Sequence, residues 1–227
     1  MTDVTQFERL EDLGEGGLCI YQNPKLYTFT SDSVLLADFC AVRSKDECVE
    51  IGCGCGVISV LLCHRQNPKH ITCVEIQPQV AELAQKNIKL CNMDGKIDVV
   101  QSDIKVFAKQ CKKEFDVVFS NPPYKKIGTS FLCQNDCRTI SRHEVCLTLE
   151  GLCECASRLL KFGGAFFVMY DANRLSELFC ALSKNHLEPK TLKLCYPYHG
   201  KDANLCLVKA VKGAKPDLKV LPPFERK

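Results

Sequence analysis

The sequence predicts one α/β domain with a mostly parallel sheet of seven strands that ends in an antiparallel hairpin. From about residue 47, short apolar segments typical of buried strands alternate with segments that carry apolar residues at helical spacing. This alternation implies right-handed crossovers and helices on both faces of the sheet. The last two apolar segments, 191–197 and 204–210, are separated only by a polar turn, so we expect an antiparallel pair at one edge.

The predicted elements follow each other in a regular order. The strands are 48–51, 71–76, 97–100, 115–120 and 165–170, and then the two strands of the hairpin. The helices are 57–65, 78–91, a short one through 106–110, a long one over about 142–161 and one near 173–184. Pro78 suits the first position of its helix. Gly163 and Gly164 are expected to end the long helix before the fifth strand.

Composition excludes several classes of protein. With 227 residues, 46% hydrophobic and 25% charged, the chain suits one soluble domain. The N-terminal segment is too polar for a signal peptide, and no apolar run approaches the roughly 20 residues of a membrane span. We therefore expect a cytoplasmic protein without membrane contact.

Seventeen cysteines suggest either disulfides or a metal site. Their number is odd, and a chain of this length does not need disulfides to fold. No C-x-x-C spacing occurs, and Ile140 stands where an iron–sulfur motif starting at Cys133 and Cys137 would need its third cysteine. We expect no metal, and we interpret most of the cysteines as small buried hydrophobic residues.

A glycine-rich turn follows the first strand, with Gly52, Gly54 and Gly56 at alternate positions. Ligands of open α/β sheets bind at the carboxyl ends of the strands, where glycine lets the backbone approach the ligand. The spacing differs from the G-x-G-x-x-G of dinucleotide-binding proteins. Glu50, directly before this turn, would repel a pyrophosphate but suits the cationic amino-acid end of S-adenosylmethionine.

Two further acids lie at the ends of the next two strands. Glu75 ends the second strand, where a carboxylate can accept hydrogen bonds from both hydroxyls of a ribose. Asp103 follows the third strand and is placed to accept from an adenine amine, although it also suits the N-cap of the next helix. Three acids at the ends of three successive strands predict a site for S-adenosylmethionine.

The fourth strand runs into the sequence Asn121-Pro122-Pro123-Tyr124. An adenine amine is a poor nucleophile because its lone pair is delocalised into the ring. The Asn121 side-chain carbonyl and the Pro122 backbone carbonyl can accept its two hydrogens in a loop stiffened by two prolines, and Tyr124 offers a face for stacking the base. We predict that these four residues form the catalytic loop. The alternative interpretation is an ordinary turn at the end of a strand.

Together these motifs resemble the amino-group branch of the class I S-adenosylmethionine methyltransferases. Further segments resemble the bacterial family that methylates the 6-amino group of an adenosine beside the anticodon of valine tRNA. They are 29–39, 142–144, 187–190, 196–197, 200–204 and 217–224, and with the motifs they extend over nearly the whole chain.

The resemblance implies a Rossmann-like methyltransferase domain over 46–227. It also implies that residues 1–45 form an N-terminal extension that packs near the cofactor and substrate site. Glu50, the three glycines, Glu75 and Asp103 would hold the cofactor, and Asp32 matches an acid near the cofactor's methionine end.

The resemblance also implies tRNA as the partner. Residues 184–227 carry 10 Lys and Arg against 4 Asp and Glu, which suits a polyanion but also an ordinary solvated surface. Lys125 and Lys126 directly follow the catalytic loop and are expected to contact phosphate. Arg142 and His143 are a second candidate pair, while Ser141 and Glu144 around them have the spacing of a helix capping box.

Other functions fit part of the pattern. Methylation of a guanine amine in ribosomal RNA, or of a glutamine amide in a release factor, would use the same chemistry. The release-factor enzymes usually carry an additional N-terminal helical domain, whereas about 45 residues precede the first strand here. A nicotinamide dehydrogenase is disfavoured by the glycine spacing, and a non-catalytic RNA-binding protein would have no use for the intact loop.

Overall fold

The computed structural model of the chain describes residues 7–123 and 147–225. The chain divides into two compact units, Met1–Ser120 and Asn121–Lys227.

The first unit begins with an antiparallel hairpin and a helix. The hairpin pairs β1 (Arg9–Asp12) with β2 (Cys19–Gln22), and α1 (Ser31–Phe39) follows it. The sequence patterns did not indicate this hairpin. Its strands are only four residues long, and β1 is exposed along its whole length.

Four parallel strands form the sheet of the first unit, in the order β6-β3-β4-β5. They are β3 (Glu47–Ile51), β4 (His70–Glu75), β5 (Ile97–Gln101) and β6 (Phe115–Ser120). The helices α2 (Val57–Gln66), α3 (Pro78–Leu90) and α4 (Ile104–Gln110) connect them. The predicted strands and helices of this region are confirmed to within about two residues at each end, and β3 is buried because it lies between β4 and β6.

The second unit contains α5 (Leu149–Leu159), β7 (Leu160–Asp171) and α6 (Leu175–Lys184), with a short 3-10 helix at Ala172–Arg174. The strands β8 (Leu187–Tyr196) and β9 (Leu205–Lys212) follow, and then two very short strands, β10 (Lys219–Val220) and β11 (Phe224–Glu225). β9 lies between β7 and β8 and is antiparallel to both. The predicted C-terminal hairpin is therefore confirmed.

Three expectations about the second unit were wrong in detail. β7 already begins at Leu160, so Gly163 and Gly164 lie within the strand and do not separate it from the helix. The helix starts only at Leu149, because the Thr148 hydroxyl caps it by accepting from the Gly151 amide at 3.1 Å. The predicted helical residues 142–146 lie outside the described residues. The hairpin is not an edge, since β10 and β11 both pair in parallel with β8.

The cysteines in the described ranges lie mostly in the core, where ten of them are buried. No three His, Cys, Asp or Glu side chains within 7–123 and 147–225 are grouped so that they could hold a metal ion. In the same part of the chain, every helix is too short or too polar to cross a bilayer.

Candidate active site

The glycine turn connects β3 to α2 at the carboxyl end of the parallel sheet. Gly52, Gly54 and Gly56 have φ values of 70°, 55° and 83°, a region of backbone conformation that favours glycine. The Gly52 amide donates to the carbonyl of Val74 on the neighbouring strand at 2.9 Å. The turn therefore has a fixed shape that depends on its three glycines.

Glu50 lies just before this turn and is 1% exposed. Its Oε2 accepts a hydrogen bond from the Ser59 hydroxyl on α2, and the Cys73 thiol lies 3.9 Å from the same oxygen. The other oxygen, Oε1, is buried and has no hydrogen-bond partner among the described residues. Burial raises the pKa of the Glu50 carboxyl to about 8; the hydrogen bond from Ser59 opposes this shift, and the neighbouring Glu75 adds to it.

Glu75 connects the glycine turn to β4. Its Oε2 accepts from the Gly54 amide at 3.1 Å, and its Oε1 accepts from the Gln77 amide at 3.0 Å. A carboxylate has about four acceptor positions, so both oxygens can still accept from a ligand. The backbone of this strand end is joined to β5, because the Ser102 amide donates to the Glu75 carbonyl at 2.9 Å.

Asp103 caps α4, as one of its two interpretations predicted. Its Oδ1 accepts from the Lys105 amide at 2.7 Å. It directly follows Ser102, so the structure brings Glu50, Glu75 and Asp103 to the ends of three adjacent strands. Asp32 lies in the first turn of α1.

The catalytic loop predicted from the sequence begins directly after β6. The Ser120 hydroxyl at the end of this strand donates to the Ile51 carbonyl at 2.8 Å, immediately before the glycine turn. Asn121, Pro122 and Pro123 follow without regular secondary structure. Tyr124, Lys125, Lys126, Arg142 and His143 lie outside the described residues.

Three residues of the site were not identified from the sequence: Tyr27, Ser59 and Asn87. The ring of Tyr27 lies against Gly54, and Ser59 holds Glu50. Asn87 on α3 is fully buried, and its side-chain amide donates to the Cys55 carbonyl in the glycine turn at 3.0 Å. A polar residue on the apolar side of an amphipathic helix is the signal that could have revealed Asn87. No local pattern distinguishes Tyr27.

The fold is that of the class I methyltransferases, a Rossmann-like α/β architecture. A predicted O-methyltransferase from Agrobacterium tumefaciens superposes with a TM-score of 0.66 at 22% identity, over 85% of this chain and 86% of that one. Methanocaldococcus jannaschii Trm5 in complex with adenosine gives the same TM-score at 18% identity, over 92% of this chain and 56% of that one. These similarities confirm the fold class that the sequence predicts.

Comparison of the sequence with known families and proteins shows which family the chain belongs to. Residues 29–177 match the methyltransferase small domain family, and the chain belongs to it. The curated relatives include the tRNA1(Val) (adenine(37)-N6)-methyltransferase of Erwinia tasmaniensis, 33% identical over 149 residues, 65% of this chain and 60% of that protein. The enzyme of the same name from Yersinia pestis is 32% identical over 140 residues, 61% of this chain and 56% of that protein. The match thus spans less than two thirds of these relatives' length.

The residues of the site fit S-adenosylmethionine. The buried Oε1 of Glu50 lacks a partner, which suits a ligand that brings a cation or a hydrogen-bond donor. Glu75 is held by two backbone amides with acceptor positions to spare, as a ribose requires. The three glycines leave backbone without side chains beside both acids.

Proposed function

We propose that this protein transfers the methyl group of S-adenosylmethionine to the 6-amino group of an adenine in tRNA. The observation that carries the proposal is the buried, unpartnered carboxylate oxygen of Glu50 beside a glycine turn of fixed shape. A buried ionisable group without a counter-charge is costly unless a ligand completes it. The named activity of the relatives supplies the acceptor, and tRNA adenine remains the proposed substrate on that ground.

The chain's own residues have separate tasks in this reaction. Bound cofactor supplies an electrophilic methyl group on a sulfonium. Glu50 would hold its ammonium, Glu75 its ribose hydroxyls and Asp103 its adenine amine, with Asp32 as a further candidate at the methionine end. The acceptor nitrogen would take this methyl group in exchange for one of its protons, which would pass to solvent.

Asn121 would make the acceptor nitrogen competent for this step. Its side-chain carbonyl and the Pro122 carbonyl accept the two amine hydrogens, so that the lone pair is no longer fully delocalised into the ring. Tyr124 would stack the extruded base, although its position lies outside the described residues.

Replacement of Asn121 tests the role of the loop. We expect Asn121→Ala to reduce methyl transfer by at least about a hundredfold, the effect of losing one well-placed hydrogen-bonding group in a transition state. Its affinity for S-adenosylmethionine, measured by calorimetry, should stay within about threefold, because the proposed role of this side chain is towards the acceptor amine and not towards the cofactor. Asn173→Ala, which removes an exposed amide bound to Asp171 at 3.0 Å, is the matched control. Near wild-type transfer by Asn121→Ala would overturn the assignment.

The acceptor is tested by product analysis. The protein is incubated with methyl-labelled cofactor and separate pools of tRNA, ribosomal RNA and release factor, and the labelled product is digested. Label in N6-methyladenosine from the tRNA pool is the expected result. Label in methylguanosine from ribosomal RNA, or in methylglutamine, would replace the proposed acceptor with one of the two alternatives.

Three lysines on the strands β8, β9 and β10 support the binding of tRNA. Thr191 on β8 is paired with Lys209 on β9 at one side and with Lys219 on β10 at the other. Lys193 lies two residues further along β8, on the same face of the sheet as Thr191. Within the described residues these three amino groups form no ion pair with an acid. Lys184 and Lys190, by contrast, lie 4.0 and 3.8 Å from carboxylates.

We expect Lys193, Lys209 and Lys219 to contact phosphate. The affinity for tRNA should fall steeply with salt, and each lost phosphate contact should reduce the slope of log K against log salt by roughly 0.7–0.9. The triple Lys→Gln variant should therefore lose roughly two to three units of slope. Lys184→Gln with Lys190→Gln is the matched control, since both lysines already have acidic neighbours. A slope unchanged in the triple variant would show that this face does not bind RNA.

A further inference from the structure

The ring of Tyr27 lies directly against the middle of the glycine turn. A Cβ atom at Gly54 would be 2.5 Å from Cζ, 2.6 Å from Cε1 and 3.0 Å from Cε2 of this ring. These are the atoms at the hydroxyl end of the phenol, so it is this end that contacts the turn. Gly54 is thus required both by its φ of +55° and by the ring that packs on it.

The hydroxyl of Tyr27 shares the environment of the two cofactor acids. Burial raises the pKa of this hydroxyl well above its usual range, and the Cys55, Glu50 and Glu75 groups near it act in the same direction. The phenol is therefore neutral at physiological pH and keeps its proton. A neutral hydroxyl beside two acids is a hydrogen-bond donor in a site otherwise rich in acceptors.

Tyr27 is held in this position by its own turn. The Tyr27 amide donates to the Asn23 carbonyl at 2.8 Å, and the Asn23 amide donates back to the Tyr27 carbonyl at 3.2 Å. Asn23 itself is fully buried.

Asn87 joins the N-terminal hairpin to the glycine turn. Its Oδ1 accepts from the Tyr21 amide at 2.7 Å, and its Nδ2 donates to the carbonyls of Tyr21 at 2.9 Å and Cys55 at 3.0 Å. One buried side chain thus connects the strand that leads to Tyr27 with the turn on which Tyr27 packs.

We propose that Tyr27 is a further cofactor-binding residue whose hydroxyl donates a hydrogen bond to the carboxylate of S-adenosylmethionine. This inference rests on the proposed function. Glu50 would bind the ammonium of the same amino-acid group, and the carboxylate beside it needs a donor that carries no negative charge. The ring also forms a wall of the site over Gly54, and Tyr27→Phe retains this wall while it removes the donor.

The test compares two ligands by calorimetry: S-adenosylmethionine and decarboxylated S-adenosylmethionine, which keeps the sulfonium and the amine. We expect the wild-type protein to prefer the intact cofactor by about tenfold or more, as for a hydrogen bond to a charged group. Tyr27→Phe should lose most of this preference, mainly through weaker binding of the intact cofactor, with an unchanged melting temperature of the free protein. Tyr21→Phe is the matched control, because it removes the hydroxyl of a ring whose centroid lies 4.1 Å from the Lys86 amino group.

The other outcomes are equally informative. An unchanged preference for the intact cofactor in Tyr27→Phe overturns the inference. So does a wild-type protein that binds both ligands equally well, and this second result can be obtained without any variant. Equal weakening for both ligands also overturns it, since the hydroxyl would then not act on the carboxylate. If the wild-type protein binds neither ligand, the cofactor assignment itself is wrong, and this inference with it.

Discussion

Strand β3 carries two glutamates in opposite states, Glu47 at its amino end and Glu50 near its carboxyl end. The Glu47 carboxylate lies 2.8 Å from the amino group of Lys69 and 2.7 Å from that of Lys113. Hydrogen bonds from Lys113 and Lys69 lower the pKa of this carboxyl to about 2, whereas burial raises that of Glu50 to about 8. The carboxylate at the amino end has its counter-charges within the chain.

The difference distinguishes a stabilising pair from a binding group. The groups of Ser59 and Cys73 that donate to the Glu50 carboxyl carry no positive charge, and one of its oxygens has no hydrogen-bond partner in the described ranges. A buried, ionised acid without a positive partner destabilises the ligand-free protein, and a cationic ligand removes this penalty. Opposite pKa shifts of two like side chains on one strand therefore indicate which end of the sheet binds a ligand.

Glu50→Gln should have the largest effect. We expect the affinity for S-adenosylmethionine to fall at least about thirtyfold, since a buried charge pair loses one partner. The same change should raise the melting temperature of the cofactor-free protein at pH 8.5. The raised pKa means that the Glu50 carboxyl costs no stability below about pH 4.5, an increasing amount as pH rises towards 8, and its full penalty above 8. Calorimetric titration and thermal unfolding measure the two effects.

Glu47→Gln is the control for this pair. Its affinity for the cofactor should remain within about twofold of the wild type. If both variants weaken binding equally, the contrast between the two ends of β3 has no functional meaning.

The pH dependence of cofactor binding should follow Glu50. Because an ionised carboxylate is needed to pair with the ammonium, the affinity should increase by up to roughly tenfold per pH unit from pH 6 to 8. Ser59, Cys73 and Glu75 face or influence this carboxyl, and none of them supplies a positive charge. Titrations at several pH values measure the slope, which should be absent in Glu50→Gln. A flat profile in the wild type would mean that Glu50 does not bind the ammonium.

Glu47→Gln should have the smallest effect, and it should act on stability. We expect the free energy of unfolding at pH 7 to fall by about 1 kcal/mol, as for partly exposed ion pairs. Because the pKa of Glu47 is lowered, its ion pairs stabilise the folded protein fully above about pH 4.5, and this stabilisation is lost as the pH falls towards 2. Urea unfolding at pH 7 and at pH 3 measures the difference. A larger deficit at pH 3 than at pH 7 would contradict this origin.

Most of the fold could be predicted because its signals are local. Apolar runs bounded by turn residues gave the four strands of the first unit, and Pro78 marked the start of α3. The failures have two causes: a glycine is accommodated inside a strand, and a local helix cap was not recognised. Gly163 lies inside β7, and the strand accommodates its φ of 77°. The cap formed by Thr148 makes α5 begin at Leu149, later in the chain than expected.

The candidate site was predicted less completely, for a related reason. Glu50, Glu75 and Asp103 could be recognised because each lies in or just beyond the last residues of an apolar strand. Tyr27 and Asn87 could not, because they meet the glycine turn through contacts between residues far apart in the chain. The bond from Asn87 to the Tyr21 amide, for example, spans 66 positions.

The sequence by itself determined the order of strands and helices, the positions where only glycine suits the backbone, and the acids at the ends of three successive strands. Only the tertiary structure decided the state of each acid. Glu47 and Glu50 are the same residue type three positions apart, and their pKa values differ because lysines from two other segments reach one of them while packing buries the other. The burial of an acid and the presence of a charged partner beside it both result from long-range packing, and a local sequence pattern contains information on neither.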